Sequence, residues 1–398
     1  MTKRQTSARL DKIRIKRFKA IRDSGIVKLG PLTIFVGNNG SGKSSIIEAL
    51  QSLRTLVLSG IDEAVSPWKG IQHVRNKFAS KRASRIEWEL GGKFTWGQSF
   101  RGGWALDADE NSAWIAEEDV RIEKYTHIVR SADGGVVMAG SDENGVLKQA
   151  QKEDQGRFFP FGKIPTNRSA MGYIPPFHEL LLSWQFLSLD AWTMGQPRRK
   201  SIASEGVRLS LEPNGANLAE ILLQIRDLDP MAFDGILEAL QFVLPYAQDI
   251  QPYVTSELER LVLVNMTENG EKIPSWLLST GTLRVLAILA CLRHPNPPPL
   301  LVIEEIENGL DPRTIGFVVS EIRSAVESGR TQVILTTHSG YLLDQVLLEH
   351  IVVVERDPKT GEPRFHRPSD QDELKGWAKE FSPGQLYVSG RLERKYGA

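Results

Sequence analysis

The chain has 398 residues with 49 basic and 49 acidic side chains, and this zero net charge argues against a protein that coats nucleic acid or anionic membrane with its whole surface. Hydrophobic residues make up 41%, yet no apolar run approaches the roughly 18 residues of a membrane span, and the basic amino end lacks the apolar stretch of a secretory signal. The single cysteine, Cys291, excludes an internal disulfide framework and a multi-cysteine zinc site, so we expect a cytoplasmic globular protein of two or three compact units, without a membrane partner.

The first part of the chain predicts strands followed by a helix. Residues 12–37 contain two or three strands, of which 32–37 is a short apolar run typical of a parallel sheet. Residues 86–150 alternate between apolar and polar, as in an antiparallel meander, and 93–97 is one of the segments. Between these regions, apolar residues at helical spacing predict a helix that packs on the sheet: Ile46, Ile47, Leu50, Leu53 and Val57.

The second part of the chain predicts alternating helices and strands. Residues 156–215 are rich in Pro, Gly and Trp and show weak periodicity, whereas 218–244 have a helical pattern. Asp311 and Pro312 supply the cap and the first position of a further helix. The predicted helix, strand, helix and strand that end this region are 277–293, 300–304, 312–328 and 331–337. Parallel strands joined by helices favour a doubly wound sheet.

A glycine-rich segment between the first apolar strand and the helix matches the pattern GxxxxGK[ST] of phosphate-binding loops. Its glycines allow backbone N–H groups to turn toward phosphates, and the positive end of the helix adds to the attraction. We expect Lys43 to reach the β- and γ-phosphates and the Ser44 hydroxyl to bind Mg²⁺. The predicted nucleotide-binding residues are Gly37, Asn38, Asn39, Gly40, Ser41, Gly42, Lys43, Ser44 and Ser45.

Two adjacent acidic residues, Glu304 and Glu305, end the apolar run that begins at Leu300. Ligands of open α/β sheets bind at the carboxyl ends of the strands, so these side chains lie where a ligand is expected. Glu304 would hold Mg²⁺ through water, and Glu305 would polarise the attacking water. An exposed acidic strand end is the plainer alternative, but the upstream phosphate loop favours the functional interpretation.

Two further segments supply candidate residues. Ser279 precedes an apolar helix and can cap it, and the start of that helix could then hold an anion. By itself the pattern is that of an ordinary helix entry and favours a structural role. His338 follows the last predicted strand and therefore lies at the same sheet edge as the phosphate loop. That position makes it a candidate contact to the γ-phosphate.

Four segments in this order, GNNGSGKSS, LLSTGTLR, LLVIEEIENGLDP and LTTHS, resemble the ABC-class ATPase heads of the SMC, RecF and OLD group, and most of all its standalone AAA-family members. The resemblance implies an α/β P-loop NTPase of the ABC-ATPase head type, with a mostly parallel sheet flanked by helices, an antiparallel β lobe and a helical insertion. The predicted core is 1–60 with 277–398, the β lobe is 61–155, and the insertion is 156–276.

The resemblance also implies a geometry. Ser279, Thr280 and Gly281 match the ABC signature, which in the family completes the ATP site of the opposite subunit. Asp311 matches a loop that crosses the dimer interface, and His338 matches the switch histidine. We therefore expect ATP and Mg²⁺ as cofactors and a homodimer, or a larger assembly, that encloses two ATP molecules.

Three departures from the family pattern bear on the chemistry. Glu304 stands where an aspartate is usual, Ile306 stands where a proline often follows, and the signature is STGT rather than the SGGQ of transporters. The metal-contacting glutamine of the family has no clear counterpart. Gln185 is one candidate, and an ordinary surface or core glutamine is at least as good an explanation.

Three functions compete. The first is an ATP-gated switch that controls a separate effector, such as a nuclease or toxin, because similar standalone heads occur in anti-phage systems and no fused nuclease is expected here. The second is a RecF-like DNA-repair ATPase, supported by eight basic residues against one acidic residue in 3–19 and by the clusters 75–85 and 198–200. The third, a transporter subunit, fits least, because its signature lies much nearer the phosphate loop.

Overall fold

A computed structural model describes most of the chain. The described residues are 8–78, 85–109, 112–123, 126–130, 136–140, 164–200, 209–256, 259–378 and 380–392. Within them, no helix is long and apolar enough to cross a membrane.

The chain forms mixed α and β structure. The strands are β1 Ala8–Phe18, β2 Ile21–Asp23, β3 Val27–Lys28, β4 Leu32–Val36, β5 Ile86–Phe94, β6 Ser99–Ala108, β7 Ala113–Ile122, β8 Thr126–Arg130, β9 Val136–Gly140, β10 Gln185–Leu187, β11 Arg198–Arg199, β12 Ala247–Val254, β13 Leu261–Glu268, β14 Glu271–Pro274, β15 Leu300–Ile303, β16 Gln332–Thr337, β17 Ile351–Arg356 and β18 Pro363–His366. The α-helices are α1 Lys43–Ser59, α2 Ile61–Val65, α3 Ile71–Val74, α4 Pro175–Leu182, α5 Ala191–Gly195, α6 Leu218–Leu228, α7 Pro230–Val243, α8 Thr280–Leu292, α9 Pro312–Glu327, α10 Gly340–Leu343, α11 Asp372–Trp377 and α12 Pro383–Val388.

Contacts between residues divide the chain into two compact units. Unit 1 comprises Met1–Gly30, Val36–Ser183 and Val352–Arg367, and unit 2 comprises Pro31–Phe35, Trp184–Ile351 and Pro368–Ala398. The division into a core, a β lobe over 61–155 and an insertion over 156–276 stays a prediction.

Unit 1 is built on an antiparallel sheet with the strand order β2-β1-β5-β6-β7-β8-β9, and β3 pairs with β1. The helix α1 contacts β1, and the indole N–H of Trp88 on β5 donates to Ala49 O of α1 at 2.9 Å. The apolar stripe predicted for α1 is fully buried, which confirms that helix and the antiparallel meander. The strands β17 and β18 form an antiparallel hairpin.

The strand predicted over 93–97 is wrong in its second half. Lys93 and Phe94 end β5, and the residues that follow turn the chain toward β6. Gly97 adopts a φ of 101°, and its N–H donates to Phe94 O at 2.9 Å. The ring of Trp96 stacks on Phe94 with 4.2 Å between centroids, so its apolar character serves the turn rather than a strand.

Unit 2 contains a mostly parallel sheet. Its strands follow the order β10-β15-β16-β4, and β15 is parallel to both β10 and β16. In α8, every residue from Thr282 to Leu292 is buried, as its almost uniformly apolar sequence requires. The helix α9 begins at Pro312 after the Asp311 cap, as predicted. A smaller antiparallel sheet has the order β11-β13-β12, with β14 paired to β13.

A buried ion pair joins β7 and β8 in unit 1. Glu118 and Arg130 lie opposite each other in the register, both side chains are fully buried, and Arg130 Nε is 3.4 Å from Glu118 Oε2. The carboxylate also accepts N–H bonds from Trp104 at 3.2 Å and from Ala170 at 3.0 Å. The guanidinium donates to the carbonyl of Arg168 at 2.5 Å, so the pair attaches the segment around residue 170 to the sheet.

We predict that Glu118→Ala lowers the free energy of unfolding by about 3–5 kcal/mol, because it leaves a buried arginine without its partner. Glu117→Ala is the matched control, since Glu117 is 69% exposed and its ion pair with Arg85 should contribute only about 0–1 kcal/mol. Urea unfolding of the two variants measures the difference. Equal losses would contradict the assigned role of the buried pair.

Candidate functional site

The predicted phosphate loop follows β4 in the chain and leads into α1 in unit 1. A Cβ on Gly37 would lie 2.0 Å from the carbonyl oxygen of Val354, so only glycine fits there. Gly42 has a φ of 114°, and a Cβ there would lie 2.7 Å from Pro363 Cγ. The loop backbone therefore runs directly against the β17–β18 hairpin, which leaves no room for side chains at these two positions.

Lys43 is buried, and its ammonium group turns back over the loop. Its Nζ lies 2.7 Å from Gly37 O and 3.1 Å from Asn38 O. No side chain caps the start of α1, so the first N–H groups of this 17-residue helix are available to an anion. The Ser41 hydroxyl is buried and has no hydrogen-bond partner among the described residues.

Most of the other residues of the loop are exposed. Asn38, Asn39, Gly40 and Ser44 are exposed, whereas Ser45 is buried. The combination of a lysine, an uncapped helix start and an unpartnered hydroxyl provides donors for phosphate oxygens. The exposed Ser44 hydroxyl is a hard oxygen ligand of the kind that Mg²⁺ prefers.

In unit 2, the carboxylates lie at the end of β15. The N–H of Glu304 donates to Leu187 O at 2.9 Å, which continues the pairing with β10 by one residue. The side chain of Glu304 is half-buried and that of Glu305 is exposed. Glu305 is in the left-handed region, with a φ of 46°. Few non-glycine residues adopt this conformation, and those that do are held by their surroundings.

Neighbouring groups hold Glu305 on each side. Its N–H donates to Thr336 Oγ1 at 2.9 Å, and its carbonyl accepts a bond of 2.9 Å from the guanidinium of Arg284. Its carboxylate accepts a bond of 2.6 Å from the Asn308 amide. Glu305 is therefore fixed at its backbone while its carboxylate stays exposed at the edge of the sheet.

His338 follows β16 at the same edge. Its N–H donates to Glu307 Oε1 at 2.5 Å, which joins the loop after β16 to the loop after β15. Its side chain is half-buried. The predicted residues Glu304, Glu305 and His338 are thus brought together within unit 2.

The signature residues begin α8. Ser279 caps the helix, because Thr282 N donates to its Oγ at 3.0 Å, and both Ser279 and Thr280 are exposed. A Cβ on Gly281 would lie 2.8 Å from Gly309 O, and a Cβ on Gly309 would lie 2.6 Å from Thr280 Cγ2. Two glycines thus allow the helix start to contact the turn that follows the carboxylates.

Asp311 caps α9 and remains exposed. Its carboxylate accepts bonds from Arg313 N at 2.9 Å, from Thr314 N at 3.2 Å and from the Thr314 hydroxyl at 2.5 Å. The hydroxyl bond and the backbone bonds lower the pKa of Asp311 below its usual value. This side chain therefore stays charged while it orders the start of the helix.

Gln185 lies inside unit 2. It pairs with Leu301, three residues before Glu304, and its side chain is buried with Nε2 donating to Leu211 O at 3.0 Å. At about 3.3 Å per residue, this places it about 10 Å from the end of the strand. The structure assigns Gln185 a role in the core of unit 2 and offers no support for a contact to metal.

Three residues that hold the carboxylate edge escaped the sequence analysis: Arg284, Glu307 and Thr336. The sequence does mark Arg284 as unusual, because it is the one charged residue in the apolar stretch TGTLRVLAILACL. A charge in a fully buried helix must have polar partners. The sequence cannot show that those partners are the carbonyls of Leu189 and Glu305.

Several basic residues of β1, and Lys19 just after it, are paired with carboxylates. Arg14 lies 2.7 Å from Asp23, Lys16 lies 2.6 Å from Glu87, and Lys19 lies 2.5 Å from Glu48, while Arg17 also contacts Glu87. In the second cluster, Arg75 and Arg85 pair with Asp107, and in the third, Arg198 pairs with Glu212. The cluster residues Lys3, Arg4, Lys81 and Arg82 lie outside the described part of the chain.

Two family models match the chain. Residues 9–84 match a model described as an AAA ATPase domain. Residues 176–344 match a model described as "AAA domain, putative AbiEii toxin, Type IV TA system". The first match contains the phosphate loop, and the second contains the signature, the two carboxylates and His338.

The chain also resembles individual proteins. It is 33% identical over 104 residues to the Nod factor export ATP-binding protein I of Sinorhizobium fredii (strain NBRC 101917 / NGR234), a stretch that is 26% of this chain and 29% of that relative.

Among solved structures, the SmcHead bound to the C-winged helix domain of ScpA matches with a TM-score of 0.51 and 13% identity, over 90% of this chain and 96% of that chain. The Smc head domain from Pyrococcus furiosus, bound to the C-terminal domain of ScpA, matches with a TM-score of 0.48 and 11% identity, over 94% and 100% of the two chains. The first structure confirms the predicted fold class, because the chain shares the fold of an SMC head. Two parts of the chain, 9–84 and 176–344, each match a model of an AAA ATPase domain.

Proposed function

We propose that the chain binds and hydrolyses ATP with Mg²⁺ and works as a molecular switch, which dimerises around ATP and controls a separate effector. The observation that supports this most directly is the phosphate loop. The backbone at Gly37 has room for no residue larger than glycine, and the Lys43 side chain turns back over the loop. A 17-residue helix without a side-chain cap begins at the end of the loop. These are the requirements of a polyphosphate site.

The residues of the loop and the two carboxylates have separate roles in this proposal. The loop N–H groups and Lys43 bind the phosphates, the Ser44 hydroxyl and the Glu304 carboxylate hold Mg²⁺, and Glu305 accepts a proton from the attacking water. Bound Mg²⁺ would neutralise charge on the β- and γ-phosphate oxygens. The exposure of the Glu305 carboxylate and the fixed backbone beneath it support its assignment as the base.

The signature is proposed to act on the ATP of a second copy of the chain. Ser279 and Thr280 are exposed at the start of α8, where helix N–H groups favour an anion. Asp311, exposed at the start of α9, is proposed to contact the same partner copy.

A nuclease or toxin in anti-phage defence is the proposed effector. The family model that matches residues 176–344 is described by a toxin–antitoxin system, and the SMC head with the shared fold is described in complex with another protein. The alternative, a RecF-like DNA-repair ATPase, receives less support, because carboxylates neutralise Arg14, Lys16 and Lys19.

Lys43→Ala should abolish ATP binding, because the loop loses the one side-chain charge directed at the phosphates. Lys77→Ala is the matched control in unit 1, since Lys77 is exposed and donates to the backbone carbonyl of Gln72. Calorimetric titration with ATP and Mg²⁺ compares the two variants. Wild-type affinity in Lys43→Ala would overturn the assignment of the loop.

Mixing variants tests the action of Ser279 in trans. Neither Lys43→Ala nor Ser279→Arg should hydrolyse ATP alone, but their heterodimer keeps one site with an intact loop and an intact signature, so activity should return. A mixture of Lys43→Ala with Glu305→Gln is the control. In that heterodimer one site has a defective phosphate loop and the other lacks the base, so neither site is complete. Confirmed heterodimers without recovered activity in the first mixture would exclude the shared site.

Substitutions of the two adjacent carboxylates should have different effects on Mg²⁺ binding and on hydrolysis. Glu305→Gln should keep ATP and Mg²⁺ binding while hydrolysis falls by about 10²–10⁴-fold, which would trap an ATP-bound dimer. Glu304→Gln should instead raise the Mg²⁺ concentration needed for binding, because a carboxylate that holds the metal through water is lost. Phosphate release, Mg²⁺ titration and size analysis measure these effects. Reversed behaviour would exchange the two roles, and full hydrolysis in both variants would refute the mechanism.

A further inference from the structure

Arg284 is a buried cation in the middle of an apolar helix. It is 5% exposed, and its neighbours along α8 are also buried. Burial lowers the pKa of its guanidinium, while the charges of Glu307 and Glu305 act in the opposite direction. Burying a charge carries a large desolvation cost, so such a group persists where its hydrogen bonds perform a task.

The bonds of Arg284 end on two loops at the carboxyl edge of the parallel sheet. One donor lies 2.9 Å from Leu189 O, beyond the end of β10, and another lies 2.9 Å from Glu305 O, beyond the end of β15. Both acceptors are backbone carbonyls, so the guanidinium fixes main chain rather than a partner side chain. The planar, forked geometry of arginine allows one residue to hold both carbonyls at once.

Glu305 needs such support because its backbone is in the left-handed region. Its N–H bonds to Thr336, and its C=O accepts bonds from Arg284 at 2.9 Å and from Asn308 N in the same turn at 3.0 Å. Thr336 and Arg284 are thus the groups that fix this backbone from other elements. The direction of the Cα–Cβ bond follows from the backbone angles. Without the Arg284 bond, only the local turn bond from Asn308 N would hold the carbonyl, so the residue could relax toward ordinary angles and its carboxylate would point elsewhere.

We infer that Arg284 is a positioning residue for ATP hydrolysis: it holds the backbone of Glu305 so that the carboxylate faces the attacking water. This inference rests on the proposed function of Glu305. Arg284 need not contact nucleotide, and its whole contribution passes through Glu305. That property separates it from a residue that only stabilises the fold.

A double-mutant cycle tests the inference. Arg284→Met should lower kcat by about 10²-fold, since small displacements of a reacting group cost this much, while the Kd for ATP stays close to that of the wild type. In a Glu305→Gln background the same substitution should cause no further fall, because the group that it positions is already lost. Single-turnover phosphate release measures all four chains. Arg284→Lys should recover part of the rate, because an ammonium keeps the charge but cannot hold both carbonyls.

Arg293→Met is the matched control. Arg293 ends the same helix, donates to both carboxylate oxygens of Glu321 at 2.7 and 2.9 Å, and donates to Gly235 O at 2.9 Å. Its loss should change kcat by the same factor in both backgrounds. If Arg284→Met also acted by one factor in both backgrounds, its role would be structural and the inference would be overturned.

Two further outcomes are distinguishable. Full hydrolysis by Glu305→Gln would overturn the proposed role of Glu305 as the base and this inference with it, whereas a fall in that variant combined with additivity overturns only the inference. Should Arg284→Met unfold below the assay temperature, the cycle is run with Thr336→Val, which removes the other anchor of the Glu305 backbone. Non-additivity with Glu305→Gln supports the positioning of that backbone, and additivity refutes it.

Discussion

Parallel pairing of β10, β15 and β16 is the constraint on which the candidate residues of unit 2 depend. Because the strands run in one direction, the loops that follow them leave the sheet at the same edge. Glu305 and His338 follow two of these strands. An antiparallel arrangement would send alternate loops to opposite edges and separate these residues by the length of the sheet.

Close approach of backbones is a second recurring device. In unit 1, Gly37 lets the phosphate loop lie against the carbonyl of Val354, and in unit 2, Gly281 and Gly309 bring the start of α8 against a turn. At each of these positions even the methyl group of alanine would push the two backbone segments apart. The phosphate loop and the signature therefore owe their shapes to missing side chains as well as to the polar groups that they present.

Charge in unit 1 is arranged for neutralisation. Carboxylates on β2 and β5 pair with Arg14 and Lys16 of β1, and a carboxylate on α1 pairs with Lys19, just after that strand. Lys16 and Glu87, which form one of these pairs, are 71 residues apart in sequence. Counting basic residues in a window therefore overstates the positive potential of this surface, because the compensating charges arrive only when the sheet forms.

Local sequence patterns predicted helices and strands well where an apolar stripe or a pair of capping residues was sufficient to define the element. The stripe from Ile46 to Val57 gave α1, and Asp311 with Pro312 gave the start of α9. The strand predicted up to Gly97 is a turn in its second half. An apolar Trp96 fits a strand and a turn equally well in sequence, and only its stacking on Phe94 distinguishes the two structures.

The candidate site was less accessible to sequence reasoning than the elements. The motifs located Glu305, but its left-handed backbone depends on Arg284 and Thr336, which lie 21 and 31 residues away. No periodicity or motif records such contacts, since they form between elements that pack only in the folded unit. The interior position of Gln185 likewise follows from the register of β10 against β15.

The single cysteine has a practical consequence. Cys291 lies within α8 at 3% exposure, and a thiol reacts through its accessible thiolate. The natural chain is therefore close to inert toward maleimide reagents while folded. A cysteine introduced at Leu277, which is 67% exposed and two residues before Ser279, would carry a fluorophore at one defined place. The start of α8 can thus be observed by spectroscopy without removing any native residue from the core.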